Sequence, residues 1–166
     1  MNKPIYLTNA VQMILTIVLC FASISVVQGA DPVDTCALLT RAEIQAAVGQ
    51  NAAEGKLNPH ANPATGAPCE YMIGAGGVFS ILAKAVKPEE TPDRVMAEFK
   101  KRKIPVSEAP GIGDRSFFSS PGYGMVQLNT FKGSSYLIIT MLVPGASEAL
   151  QKTAAENLMR KALAKL

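Results

Sequence analysis

Three helix-start signals, separated by paired apolar runs, specify an α+β fold with an antiparallel sheet of about five or six strands packed by three helices. The predicted order is helix, three strands, helix, three strands, helix. The helix starts are Thr40, Thr91 and Ser147, and the strand pairs turn at the glycine cluster Gly74–Gly77 and at Lys132–Ser134. With 48% hydrophobic and 17% charged residues, the composition is that of one globular domain rather than of a disordered or collagenous chain. The two halves of the chain are laid out alike, but no sequence repeat relates them.

Before the first helix, residues 1–30 carry a single charged side chain, Lys3, and an apolar run from Met13 to Val27 that ends in Gln28-Gly29-Ala30. That run is shorter than the roughly 20 residues that span a bilayer and ends in small residues, the outline of a signal peptide. Cleavage is expected after Ala30 or Gly29, and retention as a membrane anchor is the alternative. Cys20 follows Leu19, where lipidation requires a small residue, so it reads as an apolar residue of the leader. The remaining domain, residues 31–166, loses only Lys3 among charged groups, leaving 15 basic and 13 acidic side chains and a net charge of +2. So small a charge points to neither nucleic acid nor an acidic partner. Its two cysteines, Cys36 and Cys69, can pair in only one way, and in an exported domain a disulfide between them is expected.

Thr40 is the expected N-cap of the first helix, with Glu43 three residues on as its capping-box partner and Leu39 facing Ile44 as a hydrophobic staple. Gly49 ends that helix. Gln50–Leu57 reads as a weak edge strand, and Asn58–Pro68, with three prolines and a glycine, as a loop. Cys69–Ile73 and Val78–Val86 are the next two strands. A phosphate cradle at Gly74–Gly77 would need a helix starting directly after the glycines, and Val78 onward has strand character. Thr91 caps the second helix, Pro92 opens it, and Val95, Met96 and Phe99 face inward until Pro105 forces a stop. Strands at Met125–Phe131 and Ser135–Val143 follow, the second nearly all apolar and therefore central. The last helix carries a stripe of Leu150, Ala154, Leu158 and Ala162, flanked by Ala155, Met159, Leu163 and Leu166.

Groups able to do chemistry are few. His60 is the sole histidine and sits in the proline-rich loop, which leaves no Ser-His-Asp or Cys-His set and no zinc site that would not consume both cysteines. The basic run Lys100-Lys101-Arg102-Lys103 is the one surface feature with a polyanion or anionic-lipid reading. Cations in a last helical turn also complement the macrodipole, and no aromatics interleave these. Gly111-Ile112-Gly113-Asp114 reads as a structural turn in which Asp114 accepts backbone N–H groups. The competing reading gives Asp114, with Glu70 or Glu108, a hydrolytic or Ca²⁺-binding role.

Cys-Ala-Leu-Leu-Thr-x-x-Glu at 36–43, Cys-Glu-Tyr at 69–71 and Gly-Ile-Gly-Asp-Arg-Ser-Phe at 111–117 resemble a broad group of small secreted bacterial proteins and lipoproteins of unknown function, closest to actinobacterial lipoproteins. The resemblance covers most of residues 31–166, with the lipidation box missing. It implies an exported α+β domain and no particular reaction. The expectation from the sequence is therefore a periplasmic or secreted, non-catalytic binding domain without cofactor or metal. Its partner would be a protein or a small envelope ligand and not nucleic acid, with membrane contact only through an uncleaved leader. The alternative is a hydrolase or Ca²⁺-binding protein built on the Asp114 loop.

Overall fold

A computed structural model describes residues 33–61 and 66–166, and Pro32–Leu166 form one unit. The expected leader at 1–30, with Cys20 in it, and the middle of the proline-rich loop lie outside the described residues. The elements are α1 (Arg41–Val48), β1 (Lys56–Leu57), β2 (Cys69–Ile73), β3 (Gly77–Ala85), α2 (Pro92–Lys101), β4 (Val106–Glu108), β5 (Arg115–Gly122), β6 (Met125–Lys132), β7 (Ser135–Leu142) and α3 (Glu148–Leu163). The fold is α+β, as the sequence indicates.

All seven strands join one antiparallel sheet in the order β1-β2-β3-β7-β6-β5-β4. The count exceeds the expected five or six because β4 is an edge strand of three residues, too brief to leave an apolar pattern. The Gln50–Leu57 strand shrinks to β1 plus a single bridge from Ala52 to Ile73. β5 also runs further than its sequence suggests, through Ser119 to Gly122 and past Pro121. Pro121 is tolerated there because the neighbouring β4 pairs only with Phe117–Ser119, so its missing N–H removes no ladder bond on that side.

Alternation along the strands divides the core into two layers. One face of the sheet carries Cys69, Tyr71, Ile73, Phe79, Ile81, Leu128, Leu137, Ile139 and Met141, which pack with Leu39 and Ile44 near and on α1 and with Leu158 and Met159 of α3. The opposite face carries Phe117, Phe131 and Tyr136 beneath Met96 of α2, with Val95 and Phe99 alongside. Full burial of each such side chain is worth about 1.5–3 kcal/mol, so the larger layer dominates stability. Gly55 is fixed by this packing, since a Cβ there would lie 2.4 Å from the Tyr71 ring.

The caps form as their residue types dictate. Glu43 N–H donates to Thr40 Oγ1 at 3.2 Å and Thr40 N–H donates back to Glu43 Oε2 at 2.8 Å, a complete capping box. Thr91 and Ser147 cap α2 and α3 through the N–H groups of Arg94 and Leu150. The stripe on α3 is narrower than its apolar residues suggest. Ala154, Ala155, Leu158, Met159 and Ala162 are buried, whereas Leu150 is 65% and Leu166 50% exposed. Gln151 takes the inward position in the first turn instead of Leu150, because its amide has partners there.

Cys36 and Cys69 form a disulfide with Cα atoms 5.1 Å apart. It ties the segment before α1 to the first residue of β2, where Thr35 Oγ1 donates to the Ala67 carbonyl and Tyr71 OH donates to the Leu39 carbonyl at 2.6 Å. Burial, with the nearby Glu54, Asp34 and Glu43 carboxylates, pushes the Tyr71 phenol above its ordinary range, so it remains a donor. Such a bond fits an oxidising environment.

Candidate interaction surface at one end of the sheet

The strands bring two sets of turns to opposite ends of the sheet. At one end, where β5 begins and β6 gives way to β7, sits the Gly111–Asp114 turn. Asp114 N–H donates to the Phe131 carbonyl. Its carboxylate accepts Gly133 N–H at 2.7 Å and Lys132 Nζ at 3.1 Å. Those two donors hold the Asp114 carboxyl below its ordinary range. Both carboxylate oxygens are thereby engaged in fastening this turn to the β6–β7 turn.

The carboxylates proposed as partners for Asp114 are engaged with other groups. Glu108 pairs with Arg115 at 2.9 Å, and Glu70 accepts from Asn58 Nδ2 at 2.8 Å. Glu70 is on β2, four strands from β5, which at a spacing of about 4.8 Å places it roughly 19 Å away. His60, whose N–H donates to Asn58 Oδ1, is exposed in its loop. Among the described residues no group of three His, Cys, Asp or Glu side chains is placed to hold a metal ion. An open groove of about 360 Å³ along α2 gathers Glu89, Glu90, Arg94, Glu98 and Arg102 beside Val95 and Phe99. Most of its charges are neutralised in pairs, Glu90 by Lys84 and Glu98 by Arg102. Burial pushes the Glu90 carboxyl upward, but Lys84 and the Lys87 N–H outweigh it and leave it below its ordinary range.

The other end of the sheet is built differently. Here the β2–β3 turn, the β5–β6 turn and the β7–α3 connection come together, held by two glutamines. Gln151, buried, donates from Nε2 to the Gly124 carbonyl at 3.2 Å and accepts Val143 N–H on Oε1 at 3.0 Å. Gln50 donates to the Pro144 carbonyl at 2.9 Å. Across this end the segments 72–78, 120–125 and 142–150 contain one charged side chain, Glu148, which pairs with Lys152.

Three of the exposed large hydrophobic residues are found here: Met72 on β2, Tyr123 in the β5–β6 turn and Leu150 at the start of α3. Met72, Val78 and Leu142 stand in register across β2, β3 and β7. Tyr123 is 93% exposed and has φ 56°, followed by Gly124 at φ 76°. Positive φ at both central residues defines a type I′ hairpin turn, whose first position favours Asn, Asp or Gly. A bulky aromatic there is strained and buries nothing, so the fold gains nothing from it.

The basic run borders the same end. α2 finishes in a Schellman cap, with Ile104 N–H donating to the Phe99 carbonyl and Lys103 at φ 60° in the position usually given to glycine. Pro105, two residues on, accepts Ser120 N–H at 3.1 Å, and Tyr123 lies three residues beyond Ser120. Lys100, Lys101, Arg102 and Lys103 are all exposed. Arg102 pairs with Glu98, whereas no carboxylate of the described residues lies within ion-pair distance of the three lysines.

The structure thus separates Asp114 from the basic run and places that run beside Tyr123, with Leu150 and, four strands from β5, Met72 at the same end of the sheet; the sequence marks none of these three as part of a surface. The available signal was Tyr-Gly in a two-residue turn where Asn-Gly is the rule. No family model, curated protein or solved structure matches the chain.

Proposed function

We propose that this chain is an exported, non-catalytic interaction domain that makes its contact through the end of the sheet carrying Tyr123. One observation carries the reading: a tyrosine is held almost wholly in solvent, in a backbone conformation that disfavours it, at an end nearly free of charge. Depletion of charge with exposed Tyr and Met is the composition of interface cores rather than of ordinary surface. The short apolar leader and the disulfide support export to the periplasm or beyond. An enzyme reading through Asp114 is weaker, because that carboxylate is already committed to Gly133 and Lys132.

Photo-crosslinking in the producing cell tests the proposal. A photoreactive residue at position 123 is expected to form adducts with an envelope component, protein or lipid, while the same residue at Asn157, exposed on α3, gives none. Equal labelling at both positions, or none at either, would count against an interaction surface at Tyr123.

A further inference from the structure

Helix C-terminal cations in this protein fall into two groups. At the end of α3, Lys161 and Lys165 pair with Glu43 and Arg160 donates to the Gly111 carbonyl, so their charge ties elements together. At the end of α2, Lys100, Lys101 and Lys103 have no such partner among the described residues. Complementing the helix macrodipole would account for one or two cations, but not for a third lysine placed in the left-handed cap position where glycine costs less.

Both this cluster and the exposed Tyr123 tip flank the Pro105–Ser120 hydrogen bond. The molecule therefore presents an exposed aromatic residue on a turn, apolar Leu150 and, farther along the same end, Met72, and a rim of uncompensated positive charge beside Tyr123. Tyrosine has an apolar ring and a polar tip and settles at the headgroup level of a bilayer. Lysines near a membrane surface are drawn to anionic headgroups and let their stems lie against apolar surface.

We propose that this end docks on an anionic phospholipid surface, with Tyr123 entering the headgroup region and Lys100, Lys101 and Lys103 against the lipid phosphates. The inference rests on the interaction reading above and names its partner. It departs from the expectation that membrane contact comes only through an uncleaved leader. A bare polyanion site would have no use for an exposed tyrosine, and a purely apolar docking site none for the lysine rim, whereas an anionic bilayer accounts for both.

Co-sedimentation of residues 31–166 with vesicles tests it, using neutral phosphatidylcholine against the same lipid with phosphatidylglycerol added. Binding is expected only with the anionic vesicles and should weaken in high salt as the charges are screened. Replacing all three lysines by glutamine should lower partitioning on the order of a hundredfold, given the contribution of each basic residue at an anionic surface. Tyr123→Asn, which leaves the charge unchanged, should lower it as well, and free inorganic phosphate at the same concentration should not displace the protein. Equal binding to neutral and anionic vesicles, no binding to either, or loss on adding phosphate would overturn the proposal. If position 123 crosslinks to an envelope protein while vesicles fail to bind, the lipid assignment falls and the interaction reading stands.

Discussion

Gln151 and Gly124 are joined across the end of the molecule by a side-chain amide that donates to a turn carbonyl, while the same amide accepts the N–H of Val143. One buried polar residue thus fixes the Tyr123 turn, the end of β7 and the first turn of α3 together. Gln151→Leu would preserve the volume and leave the Val143 N–H unpaired in a buried position. The expected cost is about 1–3 kcal/mol in chemical denaturation, with faster amide exchange at Val143. An unchanged denaturation midpoint would show that the clamp carries no stability.

Glu43 predicts a pH dependence. Its carboxyl falls from an ordinary 4.5 to about 2, first through the Thr40 N–H, against some burial, and then through Lys165 and the Thr40 hydroxyl. A folded-state pKa below the unfolded value means the contribution is complete above about 4.5 and is lost as the pH falls towards 2. Glu43→Gln should therefore destabilise the protein at pH 7 and make little difference near pH 2. A difference between variant and parent that stays constant across that window would contradict the assignment.

Reduction of the disulfide should destabilise the domain by about 3.7 kcal/mol on the chain-entropy estimate for a loop of this length. Thermal melts with and without reductant would then differ by roughly 10 °C for a domain of this size. Cys36→Ser should reproduce the reduced melt, and a variant melting with the oxidised protein would refute the estimate.

Much of the framework was legible because its signals are local. Thr40 with Glu43, Thr91 before Pro92 and Ser147 each mark a helix start by a hydrogen bond within three residues, and the apolar run of β7 announces a strand with neighbours on both sides. The edge strand β4 was not legible, since three residues have no period to read, and β1 was legible only as part of a longer weak strand. Leu150 was misplaced for a different reason. Its position fits the apolar spacing of α3, but the helix is oriented by Gln151, whose partners at residues 124 and 143 are distant in sequence. The candidate surface was hidden in the same way: residues 72, 123 and 150 share an end only once the order of strands is known.

Asp114→Asn separates a turn residue from a catalytic one. The substitution keeps the shape but weakens the bonds to Gly133 N–H and Lys132, and should lower the melting temperature at pH 7. Because the folded-state carboxyl lies below its ordinary value, the difference should shrink as the pH falls below the usual aspartate range. A hydrolytic activity that vanished in this variant with no change in melting temperature would restore the enzyme reading.

If Tyr123 serves contact, it has no part in the stability of the isolated domain. Tyr123→Asn places a residue suited to the first position of the type I′ turn where a strained, solvent-exposed aromatic now stands. The measurement is the melting temperature of that variant against the parent, in protein free of lipid and partners. A rise of a few degrees is expected, from relief on the order of 1 kcal/mol of left-handed strain. A fall would mean that the Tyr123 side chain supports the fold, and the claim that it is held out for a partner would then fail.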